Sequence, residues 1–244
     1  MKITYIHHSS FSVEFSGAVF LFDYYAGNLP EFPKDKELYI FASHKHHDHF
    51  DLSVLSLAEK YSDIHFILSK DIRMNQAYLK KKQVPESAWD KIIYMGKNVS
   101  ADFQAGGHPL HVETLTSTDE GVAFLLQYEG KNLYHAGDLN WWTWIGETDE
   151  EYNDMKRRFL HEMTKIRGRH FDAAFVPLDP RQEERYWWGF HAFMKETDTE
   201  IVFPMHFWKD YSVIDRLLSE DFSVPYRNKI QKITKEGQEF KLFS

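Results

Sequence analysis

Residues 38–51 read "LYIFASHKHHDHFD", and this stretch constrains the chain more than any other. "LYIFAS" is an almost unbroken apolar run, which fits a strand buried on both faces. Where it ends, four histidines and an aspartate fall within six residues, His44 to His49. In extended backbone, residues i and i+2 point the same way, so His44 and His46 can aim at one point. Asp48 and His49 lie on the turn leading to Asp51, an N-cap residue for a following helix, and can aim at a second point nearby. At this histidine content, three His and one Asp in the order H-x-H-x-D-H arise by chance in roughly three such chains in a thousand. Imidazole and carboxylate converging on one place is the donor set of a transition-metal site. The competing reading is a solvated polar loop, or histidines satisfied by core hydrogen bonds. His47, at the free x position, has no ligand role in this scheme.

The flanking sequence predicts a layered α/β protein. "KITYI", "FSVEF" and "AVFLFD" at the start are short β-rich runs broken by small or polar residues. Helices are expected from Asp51 to about Tyr61, and from just after Ser69 to Lys80–Lys82, where late lysines suit the helix dipole. "HVETLTS", "GVAFLLQYEG" and "NLYHAGD" return to strands, the last two joined as a hairpin at Glu129–Gly130–Lys131. Thr148 and Glu151 form a T-x-x-E capping box. Tyr152, Met155, Phe159, Met163 and Ile166 follow at helical spacing, and Gly168 ends the run. "DAAFVPL" and "EIVFPM" are further buried strands, residues 211–218 a helix, and "EFKLF" a closing strand. Strands at both ends with helices interleaved between them imply sheets packed together with helices outside. Without a linker or repeat, residues 1–244 read as one domain.

Composition narrows the function. The chain has no Cys, which excludes disulfides and thiolate metal or redox sites. A net charge of −8 argues against a standing nucleic-acid or membrane partner. "MKITYIHHSSF" lacks an apolar leader segment, so a cytoplasmic protein with a small-molecule substrate is expected; a homo-oligomer stays open. Other ligand-type residues recur just past strand ends, where layered α/β proteins build sites: Asp138 after "YHAG", Asp179 after "FVPL" and His206 after "IVFPM".

Together these residues resemble the metallo-β-lactamase superfamily, and within it the branch of small metal-dependent hydrolases that includes ascorbate-phosphate lactonase-like proteins. The resemblance covers nearly the whole chain. "KITYIHHSSFSVEF" is similar to that branch's opening turn, "LFDYYAG" to its second motif, "SHKHHDHFD" to its signature loop, "YHAGD" to its metal-bridging Asp motif and "FPMHFW" to its final His. It implies a four-layer αββα sandwich with two metals at one edge between the sheets. One element departs from the pattern. The family supplies another metal-binding His before the strand that here begins at Gly121, but "TLTSTDEGVAFLL" contains none. His108 and His111 lie too far upstream. Asp119 stands at about the right position, either as a replacement ligand or as a turn residue.

The resemblance thus implies that His44, His46 and Asp119 hold one metal, that Asp48, His49 and His206 hold the other, and that Asp138 bridges them. Asp48 is also the catalytic candidate, as the group that orients or deprotonates the attacking water. His8 and Asp23 are placed behind the ligands, with plain turn chemistry as the alternative for Asp23. Arg181 and His191 are candidates for substrate contact, since tryptophans near them suggest a pocket wall; the alternative is that those tryptophans are core. The cofactor expected is one or two divalent ions, Zn²⁺ first, with Mn²⁺ or Fe²⁺ as alternatives. The function expected is hydrolysis of a small ester, lactone or phosphodiester by metal-activated water. An iron-dependent oxidoreductase and a metal-binding, non-catalytic protein are the competing classes.

Overall fold

The computed structural model describes residues 1–242. Strands β1 (Lys2–His7), β2 (Ser10–Glu14) and β3 (Ala18–Phe22) form an antiparallel meander. β4 (Glu37–Ala42), β5 (Ile64–Ser69) and β6 (Ile92–Met95) then add in parallel. The crossover before β5 is a 3₁₀ segment, Leu52–Glu59, and before β6 come α1 (Gln76–Lys81) and α2 (Glu86–Trp89). The second sheet repeats this plan. β7 (Ser100–Ala105), β8 (His108–Thr116), β9 (Val122–Tyr128) and β10 (Lys131–His135) run antiparallel. After α3 (Asp149–Ile166) and the short β11 (His170–Phe171), β12 (Ala173–Pro177) pairs parallel to β10. α4 (Trp188–Glu196) and β13 (Asp198–Thr199) then lead to β14 (Val202–Met205), parallel to β12. α5 (Ser212–Ser219) follows, and β15 (Glu239–Lys241) returns to pair with β1.

Side-chain alternation turns these strands into layers. In β3, Phe20 and Phe22 face the second sheet, while Val19 and Leu21 face a separate apolar cluster with Val54, Leu55 and Leu79 of the outer helical segments. Between the sheets Phe11 meets Phe175 at 4.6 Å and Phe41 meets Phe124 at 5.3 Å, ring centre to ring centre. On β10 the same two-residue period sends Tyr134 outward onto Phe193 of α4 and His135 inward onto Phe22. The order is therefore helices, sheet, sheet, helices: an αββα sandwich, as the family resemblance implies.

The capping box at Thr148 and Glu151 forms in full, and Phe159, Met163 and Ile166 are the buried stripe of α3. The hairpin at Glu129–Gly130 forms as well. Two helices differ from expectation. The Asp51 side chain does cap a helical segment, through Ser53 N, but that segment is 3₁₀ rather than α. The stretch after Ser69 does not run on as one helix. Arg73 leaves helical backbone, and the real cap is Asn75, whose side chain accepts from Tyr78 N. Asp71 instead accepts the Lys45 backbone N–H and so braces the histidine loop. β5, β6 and β7 are additional to the expected strands: β5 lies between two expected helices, β6 is only four residues long, and β7 keeps its polar face exposed. The closing strand is seen at Glu239–Lys241; Phe243, the end of the expected run, lies outside the described residues. No helix among the described residues is long and apolar enough to cross a membrane.

Candidate metal centre

The ends of β3, β4, β10, β12 and β14 and the β1–β2 and β8–β9 turns meet at one edge of the sandwich. They deliver eight metal-type side chains in two clusters: His8, Asp48, His49 and His206, and His44, His46, Asp119 and Asp138. Within each cluster one donor atom per residue lies within 4.8 Å of all the others. Several edges are shorter. His49 Nε2 is 3.2 Å from Asp138 Oδ1, His44 Nε2 is 3.4 Å from Asp138 Oδ2, and His46 Nδ1 is 3.4 Å from Asp119 Oδ2. Two donors each about 2.0–2.1 Å from a tetrahedral ion stand about 3.3–3.4 Å apart, so these edges are of ligand-to-ligand length. Asp138 turns one oxygen to each cluster, the arrangement a bridging carboxylate requires.

The donor atoms are buried and have no hydrogen-bond partner: His8 Nε2, His44 Nε2, His49 Nε2, His206 Nε2 and Asp138 Oδ1. Buried polar groups are otherwise almost always paired, and five such atoms aimed at one volume fit divalent cations.

The opposite ring nitrogens are mostly anchored. His49 Nδ1 donates to Asp23 at 2.8 Å and His206 Nδ1 to Asp179 at 2.9 Å. His44 Nδ1 meets Ser43 Oγ at 2.9 Å, and that hydroxyl in turn donates to Asp23. Each bond leaves the proton on Nδ1 and the lone pair on Nε2, pointed at the cluster. Asp23 thus sits behind two ligands at once and also accepts the Ser43 backbone N–H.

The electrostatics suit this arrangement. Burial pushes His8 and His44 down to about 4, so both rings are neutral near pH 7. Burial alone would raise Asp138, but the imidazoles of His49 and His206 hold it well below the ordinary carboxylate range. His49 goes the other way: burial opposes its charge, and Asp138 and Asp23 outweigh that. A divalent ion at Nε2 would take the place of the His49 proton that faces Asp138, while the Nδ1 proton stays hydrogen-bonded to Asp23. Asp48 stays ionised, since the nearby His8 ring, its Nε2 3.5 Å from Oδ2, and the His49 charge overcome its burial.

The backbone is held in uncommon conformations at these positions. His8, Asp23 and His206 have φ of +52°, +44° and +64°, a left-handed region that non-glycine residues seldom enter and that clusters at functional sites. Gly137, at φ +51°, precedes Asp138; a Cβ there would come 2.6 Å from Ser43 Cβ. At Gly121 a Cβ would lie 1.9 Å from the Ser43 carbonyl. These two glycines let the second sheet's loops close onto the end of β4.

Among the remaining sequence candidates, Asp119 is at the cluster and half-exposed, whereas His111 is bonded to Asp102 on the outer part of β8 and His108 is exposed at the β7–β8 turn. His47 points to solvent, its side chain 91% exposed. His8, expected behind the ligands, has a ring nitrogen within the first cluster of donor atoms. Arg181 lines the cleft over the clusters, clamped by Asp179 and stacked on Trp208 at 4.5 Å. His191 does not line that cleft. Its Nδ1 meets the Tyr226 hydroxyl, and it faces a separate groove with Trp141, Trp187 and Trp188; the helical period of α4 turns it away from Arg181. Asp179 was visible only as a strand-end acid, and its role behind His206 became apparent from the fold. The cleft above the clusters holds about 270 Å³, with Trp142, Trp144 and Met155 as its apolar wall.

Residues 2–144 match the family model described as the β-lactamase superfamily domain. The chain belongs to this superfamily. Two relatives named UPF0173 metal-dependent hydrolase are similar to it. One, from Alkaliphilus metalliredigens, is 31% identical over 149 residues, covering 57% of this chain and 63% of that protein. The other, from Anoxybacillus flavithermus, is 27% identical over 184 residues, covering 73% of each. The chain thus matches somewhat under two thirds of the first relative's length. Among solved structures, Igni18, described as a novel metallo hydrolase from Ignicoccus hospitalis, aligns over 99% of both chains with a TM-score of 0.57 at 18% identity. That likeness supports the superfamily fold; the ligand geometry above stands on this chain's own residues.

Proposed function

We propose that this protein is a metal-dependent hydrolase of a small ester, lactone or phosphodiester, with Zn²⁺ at the two clusters and Mn²⁺ or Fe²⁺ as alternatives. The observation that carries the proposal is the convergence of five buried, unpartnered donor atoms on an edge that opens to a cleft. Divalent ions bound there would lower the pKa of water from 15.7 to about 7 and polarise the bond to be cut.

The chain's own groups divide the remaining work. Asp48, ionised and at the cleft floor, accepts a hydrogen bond from the attacking water and fixes its direction. Asp138 holds the two clusters at a fixed spacing. Trp142, Trp144 and Met155 exclude bulk water from one side, which strengthens every charge interaction within. Arg181 presents its guanidinium to the cleft. Asp179 takes Nε and Nη2, leaving Nη1 to meet an anionic substrate group. No side-chain nucleophile is needed. The chain has no Cys, and no Ser stands in a G-x-S-x-G turn.

The test is metal analysis of the purified protein together with a panel of chromogenic phosphodiesters, lactones and esters. One or two equivalents of ion, turnover of one class and solvent oxygen in the product are expected. The His46→Ala, His49→Ala double variant should lose both ion and turnover. Stoichiometric metal in that variant would remove the ligand assignment, and a trapped acyl- or phosphoryl-enzyme would remove the water mechanism. Iron with no turnover on the panel would favour an oxidoreductase.

A further inference from the structure

His8 differs from every other imidazole at the centre. Its side chain is buried and both ring nitrogens lack a hydrogen-bond partner, whereas His44, His49 and His206 each anchor Nδ1 on a hydroxyl or carboxylate. A histidine placed only for packing would turn at least one nitrogen to a neighbour. Its position is nevertheless tightly set. Its backbone N–H donates to the Tyr5 hydroxyl at 3.0 Å, and its carbonyl accepts the His206 N–H at 3.3 Å. Its ring lies 4.1 Å from the His206 ring and 4.4 Å from Trp208. Its Nε2 is 3.5 Å from Asp48 Oδ2, close to a ligand-to-ligand edge.

Resting on the metal-centre reading above, we propose that His8 is a direct ligand of the inner ion, so that protein closes this position while the exchangeable coordination sites belong to the outer ion. The inner set is then His8, Asp48, His49 and His206 with Asp138 Oδ1 across it. The outer set is His44, His46, Asp119 and Asp138 Oδ2; Asp48 and His206 reach the cleft as well, but the His46 and Asp119 side chains are 40% and 43% exposed against 13% and 3% for those two. His8 is not among the cleft-lining residues; it covers the inner position from the Trp208 side. Structural sites are closed by protein, and catalytic ones keep a position open. The two halves of this centre would follow that division within one site.

The test uses Zn²⁺ alone, with a chelator competing for it, on the parent protein and on His8→Asn. Asparagine tolerates the left-handed backbone at this position and removes the imidazole. Two classes of ion are expected in the parent, one retained far longer than the other. In His8→Asn the retained class should weaken at least tenfold while the labile class is unchanged. A second readout needs no variant: with NMR-active cadmium and nitrogen-labelled histidine, the His8 ring should show metal–nitrogen coupling. Circular dichroism of the zinc-free variant reports on folding; should His8→Asn not fold, the cadmium spectrum alone decides. Unchanged retention in a folded variant, or no coupling to His8 beside clear coupling to His49, would overturn the proposal and leave the metal centre standing. No zinc binding by the parent would overturn both.

Discussion

The inner and outer clusters share Asp138 and differ in almost everything else. The inner set joins His8 and His206, from two separate turns, to the adjacent Asp48 and His49; all are buried or nearly so, and His49 and His206 are backed by Asp23 and Asp179. The outer cluster takes His44 and His46 from the same histidine loop. His44 is buried and backed by Ser43, but the His46 and Asp119 side chains are 40% and 43% exposed. The difference teaches what backing carboxylates do. They fix ring tautomer and direction before an ion arrives, which an exposed pair on two loops cannot do for itself. On the proposal above, the inner half would hold its ion and the outer half would exchange.

The largest test of this contrast removes what the halves share. Asp138→Ala should release both ions and cost at least ~100-fold in kcat/KM, about 2.7 kcal/mol, because it also strips His49 of its main counter-charge. Metal analysis after gel filtration checks it. Retention of one ion would show that the two halves are independent sites.

Next comes Asp119→Ala, which should separate the halves. The outer ion should weaken at least tenfold, about 1.4 kcal/mol, with the inner ion retained. Equal loss of both, or loss of neither, would break the comparison; the second result would return Asp119 to the turn it begins, where its backbone N–H donates to Ser117 Oγ. Asp179→Asn probes the opposite half. It keeps volume but weakens the acceptor behind His206, so the inner ion should bind roughly 10–100-fold more weakly. Calorimetric titration of Zn²⁺ into metal-free protein measures both variants.

Much of this contrast was legible in the sequence, and the reasons it was legible are local. H-x-H-x-D-H follows a buried strand, so strand period and turn position alone put His44 with His46 and Asp48 with His49. Asp138 and His206 were marked by their place after apolar strands. What could not be read depended on pairing between distant segments. Asp179 reaches His206 only because β12 and β14 are parallel neighbours. Asp23 reaches Ser43 because β3 and β4 are. His191 lies in the same run as Arg181 but on α4, after the 3₁₀ segment that carries Arg181, and helix rotation turns it into the separate groove with Trp141, Trp187 and Trp188. Packed sheets with helices outside are readable because strand runs and the α3 capping box are strong signals, and the four-layer αββα order comes from the family resemblance; β6 is too short and β7 too exposed to announce themselves.

The smallest effect expected is in metal release on acidification. Burial and the neighbouring Asp138 charge push Asp119 up from its ordinary value, whereas the nearby His8 ring and the His49 charge pull Asp48 down despite its burial. A raised carboxylate takes its proton at higher pH, so as pH falls Asp119 is neutralised before Asp48. Ligands must be deprotonated to bind, so Asp119 is the first of these two carboxylates to be lost, from the outer set. The inner set faces a different competitor: Asp138 and Asp23 raise His49 despite its burial, so a proton on that ring competes with the inner ion, whereas burial holds His8 near 4. Asp119→Ala should therefore remove the carboxylate-linked part of metal loss on stepwise acidification and leave the histidine-linked part unchanged. A release profile identical in Asp119→Ala and the parent would mean that Asp119 supplies no proton-sensitive donor.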